Sequence, residues 1–216
     1  ITIQVMEPFD TAGNWFERAG NTLHVKTRAG VIRRDLLFQE GDAVDPQQMV
    51  RQLQLLRSRK YISDADVVIR RIPGDFRHVD VYVVAYDSWT ISLDGSLGSG
   101  GETMVGISDA NIVGIGARLN VETNFNRRNF SYGGNIIGFD YPNLFGSFYH
   151  ASVSVGREFS ESEFKVDIDK PLIQPTDYSV GFSYSRVKED EEFIAPDTAL
   201  TFSRTYNTDL WAGFSH

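Results

Sequence analysis

From Trp89 onward the chain alternates apolar and polar residues with a period of two, and this restricts it to β structure more strongly than any other property. Val113, Ile115, Ala117, Leu119, Val121 and Phe125 alternate with Gly114, Gly116, Arg118, Asn120, Glu122 and Asn124. Tyr149, Ala151, Val153 and Val155 alternate with His150, Ser152, Ser154 and Gly156, and Phe164, Val166 and Ile168 with Glu163, Lys165, Asp167 and Asp169. Tyr178, Val180, Phe182 and Tyr184 alternate with Ser179, Gly181, Ser183 and Ser185, and Leu210, Ala212 and Phe214 with Asp209, Trp211 and Gly213. Turn-type residues separate the runs at 126–129, 142–143, 160–162, 188–192 and 206–208. Successive side chains of a strand leave opposite faces, so each run has one apolar and one polar face. Such faces fit a transmembrane β-barrel with a polar lumen. They fit a soluble antiparallel sandwich as well, whose apolar side is buried.

Before residue 89 the pattern differs. Residues 79–86 are nearly all β-branched or aromatic, as expected of a covered strand in a small mixed domain. Upstream of them lie helical periods, so 79–101 reads as the junction of two parts in a chain of 216 residues. A net charge of −8 and a pI near 5.0 argue against nucleic acid as a partner, because no basic stripe is present to neutralise phosphates. Arg57, Arg59 and Lys60 cluster at a helix end, where they complement the negative end of the macrodipole. The absence of cysteine removes disulfides, thiolate metal sites and cysteine nucleophiles. The chain opens within a strand and without a signal peptide, as a mature or truncated piece would. No run approaches the ~18 apolar residues of a transmembrane helix. A mean hydropathy of −0.26 does not exclude a barrel, since polar lumen positions dilute the average.

In the first part, Ile1, Ile3 and Val5 mark a short strand. A polar loop follows at 10–21, with Trp15 and Phe16 as packing anchors, then an extended piece at Leu23 and Val25. Thr27 is the expected N-cap of a helix carrying Val31, Ile32, Leu36, Leu37 and Phe38 and stopped by Gly41. A second helix starts at Asp45 with Pro46 in its first position and Gln48 completing a capping box; it carries Met49, Val50, Leu53 and Leu56 and ends near Tyr61. Residues 64–72 read as a strand, Pro73 and Gly74 as a turn, and 79–86 as the strand that pairs back. The order is β-α-α-β-β.

These residues resemble a family. Thr27-Arg28, the run 31–42 (VIRRDLLFQEGD) and the run 53–69 (LQLLRSRKYISDADVVI) are similar to a POTRA domain, in particular the last one before the barrel in the BamA-like outer-membrane assembly superfamily. The resemblance covers nearly all of 25–89; the insertion at 10–21 has no counterpart in it. In the second part, Asn111, Gly114 and Gly116 resemble the family's Asn-x-x-Gly-x-Gly step before a strand, and Pro142-Asn143 resembles a later turn. Glycine on the polar faces also suits strongly curved strands. The resemblance implies an α+β POTRA domain at 1–88, followed at 89–216 by antiparallel transmembrane β-barrel strands. Such barrels need roughly sixteen strands, whereas about seven or eight are countable here. That leaves a small closed barrel or the leading part of an incomplete one, and the second is the expectation. The family's Arg-Gly-Phe or Arg-Gly-Tyr loop motif has no match.

No catalytic constellation is found. His24, His78, His150 and His216 show no metal spacing, and His150 reads as a lumen residue. Asp167 with Asp169, and the acidic run 189–192, read as solvated lumen and loop charges rather than a cation cluster or carboxylate dyad. Gly95, Gly98, Gly100 and Gly101 do not precede a helix, so they are no phosphate loop, and GxSxG is absent. No enzyme activity, metal or cofactor is expected. The candidate binding feature is backbone: Asp66, Val67, Val68, Ile69, Arg70, Arg71 and Ile72 on a POTRA edge strand can accept an extended client by β-augmentation. Arg70 and Arg71 read equally well as guards against unwanted edge pairing. Trp89, Ile91, Leu93, Gly95 and Leu97 form the expected first barrel strand, one lip of a seam.

The function implied by the resemblance is handling of unfolded outer-membrane or secreted polypeptides, inserted into or moved across the outer membrane of a Gram-negative bacterium without a nucleotide. The POTRA part would face the periplasm, and the expected partners are client polypeptide, the lipid bilayer and periplasmic accessory proteins. A two-partner-secretion transporter, the barrel anchor of an upstream enzyme and a soluble β-rich binding module are the alternatives.

Overall fold

The computed structural model describes residues 1–8, 24–173, 178–191 and 201–214. The expected loop at 10–21 with Trp15 and Phe16, Leu23, His216 and the side chains of the 189–192 run lie outside the described residues. The chain divides into two compact units. Unit 1 comprises Ile1–Thr90, Ala110–Ala117 and Phe145–Ser147; unit 2 comprises Ile91–Asp109, Arg118–Leu144 and Phe148–His216.

Unit 1 contains β1 (Thr2–Met6), α1 (Ala29–Arg34), α2 (Pro46–Ser58), β2 (Ile62–Arg71) and β3 (Val79–Asp87), in the order read from the sequence. Its sheet has the strand order β1-β3-β2, with β1 parallel and β2 antiparallel to β3. β3 is central because it is apolar on most of both faces: Val81, Val83 and Ala85 enter the core, where they join Val31 and Ile32 of α1 and Met49 and Leu56 of α2.

The first helix is shorter than its apolar spacing predicts. Its N-cap is Arg28, without a side-chain cap, in place of Thr27, and it ends at Arg34. Leu36, Leu37 and Phe38 are buried but not helical. The cause lies in α2. Gln52 Oε1 accepts from the Leu37 N–H, Gln52 Nε2 donates to the Asp35 carbonyl at 3.0 Å, and Gln48 Nε2 donates to the Leu37 carbonyl at 2.7 Å. These side chains satisfy backbone groups that a longer helix would otherwise have paired. Gln48 is thereby diverted from the expected capping box, although Asp45 Oδ1 does accept from the Gln47 N–H at 2.9 Å. The second helix stops at Ser58, because Arg59 is extended and the Tyr61 hydroxyl is drawn to buried Asp35.

Unit 2 is an antiparallel meander of β4 (Ile91–Leu97), β5 (Glu102–Asp109), β6 (Arg118–Asn126), β7 (Ser131–Tyr141), β8 (His150–Glu158), β9 (Glu161–Lys170), β10 (Tyr178–Glu191) and β11 (Thr201–Phe214). Neighbours in sequence are neighbours in space, and among the described residues β4 and β11 are edges that do not meet. Two expectations are corrected. Val113 and Ile115 are not in a strand: Ile112–Gly114 is a 3₁₀ turn, Gly114 and Gly116 have positive φ, and β6 starts only at Arg118. The polar residues at 188–191 and 206–208 are not turns but ladder positions, with Lys188 opposite Arg204 and Tyr206 opposite Arg186. Residues 205–210 are exposed, so their polarity costs nothing there. Alternation does not mark β5 as a strand, since only Val105 and Ile107 are apolar on that face.

Register sorts the sheet into two chemistries. One row across it runs Leu93, Ile107, Val121, Ile137, Val155 and Phe164, continuing to Arg186 and Tyr206. The adjacent row, on the opposite face, runs Ser92, Ser108, Asn120, Gly138, Ser154, Lys165, Ser185 and Asn207.

Candidate functional site: strand edges and an uncovered apolar face

Among the described residues nothing covers the apolar face of unit 2. Leu93 and Leu97 are 78% and 74% exposed, and Val105, Ile107, Ile137, Val155, Phe164, Phe182 and Leu210 are exposed as well. Scattered exposed apolar residues are ordinary, but a contiguous sheet face of them requires a partner or a bilayer. Side chains of the polar face pair with one another across strands. Ser92 and Ser108 hydroxyls meet at 2.8 Å, Ser183 donates to Asp167 at 2.6 Å, and His150 sits between Asp140 and Asp169, with Nδ1 at 2.7 Å from Asp169 Oδ1. His150 thus lies on the polar face, paired with carboxylates of two neighbouring strands. No group of three or more metal-type ligands occurs among the described residues.

The expected edge-strand residues Asp66, Val67, Val68, Ile69, Arg70 and Arg71 lie together in β2, and Ile72 falls one residue beyond it. β2 pairs only with β3, so its other edge carries no strand partner among the described residues. Val67 packs toward the core while Val68, Ile69, Arg70 and Arg71 are exposed. At the start of this edge Asp64 is anchored: the Ala65 N–H and the Arg57 guanidinium, at 2.8 and 2.7 Å, hold its carboxyl below the usual carboxylate range. Past its end, the N–H of Arg77 and the His78 side chain lower Asp75 in the same way.

Of the expected seam residues, Ile91, Leu93, Gly95 and Leu97 lie in β4, whose outer edge has no strand partner among the described residues and whose residues are all exposed. Trp89 does not join them. It precedes the strand and belongs to unit 1, in a stretch where the Ser88 N–H donates to the Tyr61 carbonyl and Thr90 accepts from Ala110.

Sequence reasoning missed a polar seat inside unit 1. Asn111 is fully buried; its Nδ2 donates to Thr27 Oγ1 at 2.8 Å and to the Val25 carbonyl at 3.3 Å, and its Oδ1 accepts from the Gly116 N–H at 2.8 Å. The Arg28 N–H donates to the Gly114 carbonyl at 3.1 Å. A Cβ on Gly114 would stand 2.5 Å from the Lys26 carbonyl oxygen, and one on Gly116 2.8 Å from Val31. Thr27 also donates its N–H to buried Asp87 at 2.8 Å, and Asp87 meets His24 at 2.9 Å. The glycine spacing is a visible signal of this seat; Thr27 is not, because its place before an apolar helical run reads as an N-cap. A second buried cluster joins Asp35 to Arg59 at 3.0 Å twice and to the Tyr61 hydroxyl at 2.5 Å; burial, then the Asp35 charge, pushes the Tyr61 phenol well up.

Neither a family model nor a curated protein matches this sequence. Solved structures do match. BamA from Haemophilus ducreyi lacking POTRA domains 1–3 superposes with a TM-score of 0.51 at 13% identity, over 98% of this chain and 43% of that one. CdiB from Acinetobacter baumannii gives a TM-score of 0.48 at 12% identity, over 95% of this chain and 39% of that one. The chain spans less than half of either protein, and over its own length its fold, a mostly antiparallel β structure with few helices, is similar to that of BamA.

Proposed function

We propose that this chain belongs to an outer-membrane β-barrel protein of a Gram-negative bacterium, with residues 1–88 as a periplasmic POTRA domain and 89–216 as the leading strands of the barrel. The protein receives unfolded polypeptide and inserts it into, or passes it across, the outer membrane. The observation that carries this reading is the row Leu93, Ile107, Val121, Ile137, Val155 and Phe164: a continuous apolar surface, largely exposed, backed by a polar row on the opposite face. Lipid outside and water inside satisfy both faces at once.

In this reading the client docks first on the open edge of β2, where Asp66 to Ile72 offer main-chain donors and acceptors with little demand on client sequence. The open edge of β4, with Ile91, Leu93, Gly95 and Leu97, then serves as a template for client strands, and Trp89 sits at the membrane interface. No nucleotide or metal takes part. The β-α-α-β-β order, the β1-β3-β2 sheet and the likeness to BamA support the assignment.

Depletion of the protein in its host tests it. General loss of outer-membrane proteins supports an insertase; loss of one secreted protein alone identifies a dedicated transporter, and an unchanged outer membrane and secretome contradict both. A protein that is monodisperse without detergent contradicts the membrane assignment itself.

A further inference from the structure

Unit 1 has a hollow that neither strand edge accounts for. α1 ends at Arg34, and Gln48 and Gln52 hold residues 35–37 against α2, so the chain reaches α2 through a loop at 39–44 instead of a further helical turn. Gly41, at φ +99, turns this loop, and the Asp42 carboxylate accepts from the Gln39 N–H at 2.7 Å. Between the loop and the start of β3 lies a cavity of about 520 Å³. Its floor is Phe38, Met49 and Val81, all buried in the core, with Ile1 and Val79 beside them. Its rim is polar: Gln39 and Asp42 come from the loop, Arg77 and His78 from the β2–β3 turn. That turn is fixed. Asp75 Oδ1 accepts from the N–H groups of Arg77 and His78 at 2.8 and 3.2 Å, and Asp75 Oδ2 meets His78 Nδ1 at 2.7 Å. Neither the Arg77 guanidinium nor the Gln39 amide group has a side-chain partner among the described residues. Exposed apolar groups accompany them: Val44, which lines the cavity, is 43% exposed, and Phe76, next to Arg77 in the turn, is wholly exposed.

A buried apolar floor under a rim that holds both an acceptor and donors matches a polypeptide. A free anion would face the Asp42 carboxylate and a free cation the Arg77 guanidinium, and neither would use Phe38, Met49 and Val81. A peptide group is neutral and carries one donor and one acceptor. We propose that this hollow is a side-chain-selective binding site for an internal, extended polypeptide segment with large apolar residues. The apolar side chains enter over Phe38, Met49 and Val81, a main-chain N–H of the segment donates to Asp42, and a main-chain carbonyl accepts from Arg77. The volume lies in the range of about 300–1,000 Å³ that suits a drug-sized ligand, so more than one side chain is accommodated. None of Asp66 to Ile72 lines the hollow, which makes the site distinct from the β2 edge. The proposal rests on the reading of the protein as a handler of polypeptide, and adds selection by side chain to an edge that binds main chain alone.

The test uses the full chain in nanodiscs and a fluorescent peptide of alternating Ser and Phe, capped at both ends, with a second peptide carrying Ala for Phe. A third, carrying p-benzoylphenylalanine, is photo-crosslinked and its attachment mapped by mass spectrometry. The expected result is saturable binding of the Phe peptide, about tenfold or more weaker for the Ala peptide, with cross-links at 38–49 and 77–81. The double variant Val44→Ser/Arg77→Ala, at two exposed positions, weakens binding several-fold, whereas Val50→Ser, an exposed residue of α2 outside the hollow, leaves it unchanged. Equal affinity for the two peptides, unchanged affinity in the double variant, or cross-links confined to 66–72 overturns the site while leaving the polypeptide reading standing. Binding that requires a free C-terminal carboxylate overturns the assignment to an internal segment. Absence of binding and of cross-links anywhere on the chain overturns the site and the polypeptide reading together.

Discussion

Asn111 Nδ2 donates to Thr27 Oγ1 at 2.8 Å, tying together residues 84 positions apart in a fully buried contact. The bond lies at the centre of a seat in which Asn111 also serves Val25 and Gly116. Asn111→Ala removes all three bonds and leaves buried polar groups without partners, a cost of about 2–4 kcal/mol. Hydrogen exchange of the α1 and β3 amides measures it, and an unchanged exchange rate contradicts the role given to Asn111.

Two glycines separate strain from propensity. Gly114, at φ +73, would place a Cβ 2.5 Å from the Lys26 carbonyl oxygen, whereas nothing lies within 4 Å of a Cβ on Gly30 in α1. Gly114→Ala is expected to destabilise unit 1 by about 2 kcal/mol or more, and Gly30→Ala to stabilise it by up to about 1 kcal/mol. Equal effects in thermal unfolding would show that the close approach at Gly114 does not matter.

Tyr61 sets an alkaline limit. Burial and the neighbouring Asp35 charge raise its pKa in the folded state, so above roughly pH 10, where an unfolded tyrosine ionises, the folded chain binds the extra proton. Stability from this group is complete below that pH and declines as pH rises further. Tyr61→Phe is expected to be less stable at neutral pH, from the lost bond to Asp35, and to show a flatter decline in unfolding midpoint above pH 10. Parallel alkaline limbs for the two proteins would contradict it.

The two faces of β8 predict opposite tolerance of charge. Val153→Arg puts a cation on the apolar face at mid-strand and is expected to cost about 2–4 kcal/mol of folding into bilayers. Ser152→Arg faces Asp140 and Asp167 and is expected to cost less than about 1 kcal/mol. Denaturant titration of refolded protein in lipid vesicles reads the difference, and equal costs would contradict the assignment of faces.

The sequence made some of this legible and concealed the rest for identifiable reasons. Asp45 and Pro46 announced α2 because capping is local chemistry, and the alternation from Tyr149 to Val155 announced β8 because both faces are chemically pure. Leu36 to Phe38 misled because their spacing is helical while Gln48 and Gln52, more than ten residues away, hold their backbone out of the helix. Val113 and Ile115 continued the alternation into what is a turn, since period alone does not register the positive φ of Gly114 and Gly116. β5 stayed hidden because Met104 and Gly106 blur its polar face. Of the candidate site, the strand edges were foreseeable from element order. The Asn111 seat was not, because it depends on residues far apart in the sequence coming together.

The central claim is that unit 2 turns one face to lipid and the other to water. The most direct measurement attaches nitroxide labels singly at 152–155 and 164–168 and compares their collision rates with oxygen and with a water-soluble nickel chelate in lipid vesicles. The account predicts high oxygen and low nickel accessibility at Val153, Val155, Phe164, Val166 and Ile168, and the reverse at Ser152, Ser154, Lys165 and Asp167. Accessibility without this two-residue alternation, or labels on the apolar face shielded from both reagents, would contradict it.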